Sequence, residues 1–211
     1  MNRFITELTE RYPALTSCAC EVEAAVNAIT ACYEKGGKLL LCGNGGSAAD
    51  CDHIVGELMK GFLKKRPMDI TEKEKMKSAS PTLDDDILRK LQKALPAVSL
   101  PHISALNSAF CNDVEPDYIY AQSVFGLGKK GDILIAISTS GNAKNVFAAA
   151  AVARGLGMTV ISLTGEDGGR LKDIAHIAIR VPEKETFKIQ ELHLPVYHCV
   201  CAAVEEHFFG Q

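Results

Sequence analysis

The stretch LLLCGNGGS at residues 39–47 decides the fold, and ILIAISTSGN at residues 133–142 repeats its pattern. Each is a short, fully apolar run that ends in glycine and hydroxyl residues. Such a pattern predicts a buried strand, a tight turn and the start of a helix. The backbone N–H groups and the dipole at the start of a helix attract anions. Two such turns in one domain therefore predict a site that holds a single phosphate or sulfonate.

Neither turn matches a nucleotide-binding motif. No Gly-Lys-Ser/Thr follows, as a Walker loop would require, and no acidic residue ends a second strand at the spacing of the dinucleotide fingerprint. A glycine-serine turn can also serve only to let a helix pack closely on a strand. The prediction of an anion site therefore depends on the two turns together.

The composition is that of an ordinary soluble globular protein with one or at most two domains. The chain has 211 residues, of which 47% are hydrophobic and 23% charged, and its net charge of -3 gives no electrostatic case for nucleic acid. The N-terminus has no apolar signal core, and no stretch approaches the roughly eighteen apolar residues of a membrane span. We therefore expect a cytoplasmic protein without membrane contact.

The eight cysteines include no C-x-x-C pair and mostly lie among Ala, Val and Leu. This pattern indicates buried, reduced thiols. Two C-x-C pairs leave metal binding as an alternative, although residues i and i+2 of a helix point away from each other.

Hydrophobic spacing predicts strands that alternate with helices, hence a parallel sheet covered on both faces. The predicted helices are an N-terminal helical arm within residues 1–36, then residues 48–63, 144–156, a short one near 171, and 186–209. The predicted strands are residues 39–42, 133–137, 159–164 and 177–181, with a short one at 103–105.

Residues 68–100 interrupt this alternation. Their first half is predicted to be a solvated loop, and their second half a helix capped by Thr82 or Asp84. The apolar stripe of that helix is Ile87, Leu88, Leu91 and Leu95. The segment is either a surface insertion or a lid or intersubunit arm over the anion site, since long loops in compact domains are often functional.

Two predicted helices carry polar stripes with a histidine each. Asp50, His53 and Glu57 follow the first glycine turn, and His53 and Glu57 share a face because they are four residues apart. The matching stripe of the C-terminal helix is Gln190, Leu194 and His198. A solvated face or a satisfied core histidine would explain either stripe alone. Both stripes together favour a site.

In order along the chain, four motifs resemble those of the sugar isomerase (SIS) domain and, within it, the phosphoheptose isomerase family. They are GNGGSAAD at 43–50, ISTSGN at 137–142, LTGEDGG at 163–169 and IQELH at 189–193. The resemblance implies one SIS domain over residues 1–211, with a flavodoxin-like three-layer α/β/α sandwich around the parallel sheet. It also implies a homotetramer with active sites at subunit interfaces, and interconversion of sedoheptulose 7-phosphate with an aldoheptose phosphate.

The resemblance further implies roles for particular residues. Glu57 and His198 match the acid/base pair that moves a proton between C1 and C2 through an enediol. The matches to phosphate-binding residues are Ser47, Ser138, Thr139 and Ser140, and those to sugar-binding residues are Asn44, with Gly45 beside it, Asp113 and Gln190. Some members bind zinc through residues that match His53, Glu57, Gln190 and His198, and this nitrogen and oxygen donor set suits zinc.

The expected chemistry follows from the weak acidity of a hydrogen next to a carbonyl. Its removal needs a placed base and a group that stabilises the developing enediolate, either an acid or a metal. The anion site would hold the far end of the substrate and orient the reacting carbons.

The chain departs from the phosphoheptose isomerase pattern near the anion and the sugar. Gly61 replaces an Arg, Ala143 a Ser and Phe187 an acidic residue, while Pro195 is expected to kink the last helix. An isomerase is therefore better supported than a heptose substrate. A 6-sulfo hexose, in a reaction of the sulfoquinovose to sulfofructose type, is the alternative substrate because a sulfonate needs fewer donors.

A non-catalytic role is the second alternative. SIS proteins also include sugar-phosphate sensors and proteins that bind a replication initiator. Such binders usually lack the catalytic Glu and His, and the presence of Glu57 and His198 favours an enzyme.

Overall fold

The computed structural model describes residues 2–210, so the ends of the predicted domain, Met1 and Gln211, lie outside the described residues. A five-stranded parallel sheet with the order β2-β1-β3-β4-β5 forms its centre. The strands are β1 (Leu39–Cys42), β2 (Ala97–Ser99), β3 (Ile133–Ile137), β4 (Thr159–Thr164) and β5 (Ile177–Arg180). The larger helices are α1 (Arg3–Arg11), α2 (Ala19–Glu34), α3 (Gly46–Met59), α4 (Ile70–Ala79), α5 (Asp85–Lys90), α6 (Ser104–Asp113), α7 (Ile119–Leu127), α8 (Lys144–Gly155), α9 (Leu171–Ile174) and α10 (Thr186–Phe209).

Alternate residues of each central strand face opposite layers of helices. Leu39 and Leu41 of β1 join the core that α2, α3 and α10 complete, whereas Leu40 points into the core formed with α7 and α8. Both faces of the sheet are thus buried, which is why the strands are apolar throughout. The predicted three-layer α/β/α sandwich is confirmed.

The register of the sheet places the two glycine-containing turns side by side. Cys42, the last residue of β1, pairs with Ala136 near the end of β3. Because the strands are adjacent and parallel, the loops that follow them leave the sheet at the same edge. The anion site predicted from two separate stretches of sequence is therefore one place in the fold.

Four details of the predicted elements are wrong. The N-terminal arm is two helices, because Pro13 begins a separate 3-10 turn at Pro13–Cys18. The strand expected at 103–105 is instead β2 at Ala97–Ser99, and residues 103–104 lead into α6. The helix predicted to reach residue 63 ends at Met59. The predicted loop before residue 81 contains α4, which the reciprocal bonds of Asp69 and Glu72 cap.

The predicted helix in the second half of residues 68–100 exists, but it is only the short α5. Asp84 caps it by accepting a hydrogen bond from the Asp86 N–H. Of its expected apolar stripe only Leu88 and Leu95 are buried, and Leu95 lies beyond the helix end. The segment also contributes β2 to the sheet, and therefore part of it belongs to the core fold. Within residues 2–210, no helix is long and apolar enough to cross a membrane.

Candidate active site

The loops after β1 and β3, together with the first turns of α3 and α10, enclose a pocket of about 410 Å³. Its lining residues are Asn44, Gly45, Gly46, Ser47, Ile137, Ser138, Thr139, Ser140, Ala143, Thr186 and Gln190. Every residue predicted to hold the anion is among them. The pocket has hydroxyls and helix N-termini and no cationic side chain in its lining, which suits an anion bound by hydrogen bonds and dipoles.

The first loop requires glycine where it meets α10. Gly45 has φ +54°, a conformation that other residues rarely adopt. A Cβ atom on Gly46 would lie 2.5 Å from Nε2 of Gln190. The side chain of Gln190 therefore packs directly against the start of α3 and forms part of the pocket wall.

The second loop is held by the turn at residues 165–169. Gly141 has φ +65°, and a Cβ there would lie 2.0 Å from the carbonyl oxygen of Gly168. A Cβ on Gly169 would lie 2.4 Å from the carbonyl oxygen of Ser140. The backbone N–H of Asn142 donates to Oγ of Ser140 at 3.2 Å, so the hydroxyl hydrogen of Ser140 is available to an anion.

Glu57 and the two predicted histidines contact one another further along α3 and α10, the helices whose first turns line this pocket. Nε2 of His53 lies 3.3 Å from Oε1 of Glu57 and 3.3 Å from Nε2 of His198. Nζ of Lys60 lies 3.3 Å from the other carboxylate oxygen of Glu57. Burial, and then the neighbouring His53, lower the pKa of His198, so its neutral form dominates at neutral pH. The structure thus brings the predicted acid/base pair together through His53.

Tyr197 determines how His53 presents its nitrogens. The Tyr197 hydroxyl donates to Oδ1 of Asp50 at 3.1 Å, and its oxygen lies 3.1 Å from Nδ1 of His53. The hydroxyl has one hydrogen, which it donates to Asp50, so its oxygen can only accept a hydrogen bond from His53. This network therefore places the proton of a neutral His53 on Nδ1. The unprotonated Nε2 of His53 then lies between the carboxylate of Glu57 and Nε2 of His198.

Two of the predicted sugar-binding residues, Asn44 and Asp113, have other side-chain partners in the structure. Asn44 exchanges side-chain hydrogen bonds of 2.9 and 3.0 Å with Asn145, and the Tyr120 hydroxyl donates to its oxygen at 3.2 Å. Asp113 is exposed at the end of α6, where it accepts a hydrogen bond from Asn112. Asp113 does not line the pocket of its own chain.

Sequence reasoning missed Tyr197, Lys60, Tyr120 and Asn145. Tyr197 directly precedes His198, and residues one apart do not share a helix face, so helical spacing gave no signal. Tyr120 lies 76 residues and Asn145 lies 101 residues from Asn44 along the chain, so no local pattern could connect them.

The departures from the family pattern lie at different distances from the pocket. Ala143 lines the pocket, Phe187 is 57% exposed and follows the pocket residue Thr186, and Gly61 lies in the turn after α3. The last helix continues through Pro195.

Comparison with known proteins defines the family to which this fold belongs. The sequence profile of the SIS domain matches residues 3–84 and 88–165. The chain belongs to the SIS domain family.

Curated relatives narrow the comparison within that family. The chain is 38% identical over 181 residues to the phosphoheptose isomerase of Desulfovibrio desulfuricans, an alignment that covers 86% of this chain and 74% of the relative. It is 36% identical over 206 residues to the phosphoheptose isomerase of Rhodospirillum rubrum, and that alignment covers 98% of this chain and 96% of the relative.

Solved structures are similar over the same length. The phosphoheptose isomerase of Neisseria gonorrhoeae superposes with a TM-score of 0.75 at 30% identity and covers 95% of this chain and 94% of its own. The phosphoheptose isomerase of Francisella tularensis superposes with a TM-score of 0.76 at 29% identity, and the superposition covers 97% of this chain and 95% of that protein.

Proposed function

We infer that this chain is a phosphosugar isomerase that interconverts an aldose and a ketose by moving a proton between C1 and C2. One observation carries this function: Glu57, His53 and His198 are in contact on α3 and α10, the two helices whose first turns line the anion pocket. The similarity to phosphoheptose isomerases supports the same class of reaction. It also disfavours a non-catalytic sensor or a protein that binds a replication initiator.

In the proposed mechanism, Glu57 removes the proton from one of the two reacting carbons. The neutral imidazole of His198 donates its Nε2 proton to the carbonyl oxygen, so the negative charge passes to the ring and the substrate becomes a neutral enediol. Glu57 then returns its proton to the neighbouring carbon while the ring of His198 takes the hydroxyl proton from the other oxygen, which restores the carbonyl group and both side chains. The pocket that holds the distal anion keeps the reacting carbons within reach of both groups.

The relatives favour a phosphate as the distal anion, and a heptose phosphate is the first substrate to test. Ala143 lines the pocket where the family pattern has a hydroxyl, and Phe187, which follows the pocket residue Thr186, stands where the pattern has an acidic residue. We therefore propose that sedoheptulose 7-phosphate is not the best substrate, and the 6-sulfo hexoses serve as the contrasting set.

Zinc forms a further part of the proposal. Zinc ligands at about 2.0–2.1 Å in a tetrahedron are about 3.3 Å apart, which is the spacing in the pairs His53–Glu57 and His53–His198. Tyr197 would orient His53 as an outer partner. However, within residues 2–210 no three His, Cys, Asp or Glu side chains are arranged to hold a metal, and Gln190 lies in the anion pocket. The donor set therefore fits a zinc site only in part, and no catalytic step is assigned to zinc.

We also propose a homotetramer in the cytoplasm. Asp113 lies outside the pocket of its own chain. In an oligomer it would contact the sugar in the pocket of a neighbouring copy of the chain. The eight cysteines are free thiols, as is typical of a reducing compartment. Light scattering coupled to gel filtration measures the number of copies, and cell fractionation tests the location.

The decisive experiment is a screen for interconversion of phosphorylated and sulfonated aldoses and ketoses. Each sugar is incubated with the purified protein, before and after chelation, and the products are separated by chromatography. Conversion of a phosphosugar supports the proposed function, and the zinc content of the protein before chelation tests the metal. Tight binding of a sugar phosphate without turnover of any sugar would identify a sensor instead.

A further inference from the structure

The turn after α3 is held by a fully buried ion pair that the proposed mechanism does not use. The Nε and Nη2 atoms of Arg66 each lie 2.8 Å from Oε1 of Glu205, and both side chains are 0% exposed. A buried pair of this kind rarely adds net stability over apolar residues of the same size, because desolvation offsets the attraction. Its presence therefore calls for a reason other than stability.

Glu205 fixes the path of the chain directly after α3. Its carboxylate accepts hydrogen bonds from three consecutive backbone N–H groups, those of Phe62, Leu63 and Lys64, at 2.8, 2.6 and 3.1 Å. These three bonds and the contact with Arg66 engage both oxygens and so fix the orientation of the Glu205 carboxylate. The turn at residues 61–66 is thereby bound to α10.

Arg66 binds the end of α3 itself. Its Nη1 donates to the carbonyl oxygen of Leu58 at 2.7 Å, and its Nη2 donates to the carbonyl oxygen of Glu57 at 3.1 Å. The last four carbonyl groups of a helix have no partner within the helix. The guanidinium therefore fills two of these positions, and one of them belongs to the residue proposed as the base.

The same pair connects the two helices of the acid/base pair. Glu205 follows His198 by seven residues on α10, which places both on one face about two turns apart. Arg66 therefore links the helix of His198 to the backbone of Glu57. We propose that Arg66 and Glu205 are positioning residues that hold Glu57 at its working distance from His198, independently of anion binding.

The turn is also tied to the end of the segment between α4 and β2. The Gly61 N–H donates to the side-chain oxygen of Gln92 at 2.8 Å, and the Lys93 N–H donates to the carbonyl oxygen of Arg66 at 2.7 Å. A Cβ atom on Gly61 would lie 2.8 Å from the same oxygen of Gln92. Gln92 thus steadies the turn from its exposed side, and it offers a way to loosen the turn without disturbing the core.

The test separates positioning from stability with two variants and a control. Arg66→Lys keeps the charge opposite Glu205 but cannot make all the bonds to Glu57 and Leu58, while Gln92→Ala removes only the outer support. Val160→Ala, in a fully buried position on β4 in the core on the other face of the sheet, is the control for lost stability. For each protein, kcat and KM for the best sugar phosphate are measured across pH, together with the melting temperature.

We expect Arg66→Lys to lower kcat by about tenfold or more with KM within about twofold, and Gln92→Ala to lower kcat by a smaller factor. Val160→Ala should lower the melting temperature and leave kcat unchanged. Unchanged kcat in a folded Arg66→Lys protein would overturn the proposal, and if that variant does not fold, unchanged kcat in Gln92→Ala would overturn it. The inference rests on the proposed function, whose own failure would show as inactivity of the unaltered protein.

Discussion

At the scale of single residues, the candidate site is defined by which polar atoms already have partners. Tyr197 donates to Asp50 and contacts Nδ1 of His53, so the unprotonated Nε2 of His53 lies between Glu57 and His198. The amide of Asn44 is paired with Asn145, whereas the hydroxyl hydrogen of Ser140 has no partner within its loop. These differences indicate which side chains can respond to a substrate.

Substitution of Glu57 by Gln tests the proposed base. The amide has the shape of the carboxylate but cannot take up a proton, so kcat should fall by a factor on the order of one hundred or more with the fold intact. Steady-state kinetics and circular dichroism measure the two effects. Glu74→Gln, on the exposed surface of α4, is the matched control and should keep full activity. Near-normal turnover in Glu57→Gln would remove Glu57 from the mechanism.

Substitution of Ser140 by Ala tests the anion site. Loss of this hydroxyl should raise KM for the charged sugar, and lower kcat where positioning depends on that contact, while an uncharged analogue is scarcely affected. Kinetics with the two compounds measure the difference. Ser78→Ala, on α4 outside the pocket, serves as the control. Equal losses for charged and uncharged sugars would argue against an anion contact.

At the scale of elements, the anion pocket depends on loops that pack through glycine. The turn at residues 165–169 lies so close to Gly141 and Ser140 that a single methyl group would separate the two loops. Three helices, α4, α6 and α7, were not predicted from the sequence, and none of their residues lines the pocket. α4 is polar on all sides and has no buried residue, so it lacks the apolar stripe on which sequence prediction depends.

Substitution of Gly141 by Ala is expected to damage anion binding without unfolding the sheet. The methyl group meets the Gly168 carbonyl at 2.0 Å, and the positive φ adds backbone strain. The loop should shift, and KM for the charged sugar should rise by about tenfold or more. Gly155→Ala, where an added Cβ meets no atom within 4 Å, is the control and should bind normally. An unchanged KM in Gly141→Ala would mean that the loop does not hold the anion.

At the scale of the whole molecule, folding buries a histidine completely. His193 on α10 is 0% exposed, and within residues 2–210 neither ring nitrogen has a hydrogen bond of good geometry. Burial lowers the pKa of His193 to about 4 from an ordinary value of 6.5, and the backbone of Thr164 opposes this shift only in part. The unfolded chain therefore binds a proton at a pH where the folded protein does not.

This difference predicts that stability falls as the pH drops from about 6.5 toward 4. In that interval the unfolded state binds more protons, so acid favours unfolding, and below about 4 the contribution of His193 levels off. The loss between pH 7 and pH 5 should be about 2 kcal/mol, as measured by urea unfolding. His193→Gln should weaken this pH dependence, whereas the control His102→Gln, on the surface, should preserve it. The same pH slope in His193→Gln as in the unaltered protein would contradict the assignment.

The sequence by itself determined the layers of the fold and most of the residues that line the candidate anion pocket. Apolar strands of four to six residues can be buried only between two layers of helices, and their order fixes a parallel sheet. Each turn that follows β1 and β3 is local, so its glycine and hydroxyl residues could be read directly from the chain. The helical spacing of His53 and Glu57 likewise placed them on one face.

Only the tertiary structure decided which distant groups meet. The distance from His53 to His198, the pairing of Asn44 with Asn145, and the buried link from Arg66 to Glu205 all join residues about 100 or more positions apart. No local propensity encodes such contacts, because they follow from how α3 and α10 pack on the sheet. The short strand β2 was missed for the same reason, since its pairing with β1, and not its three residues, makes it a strand.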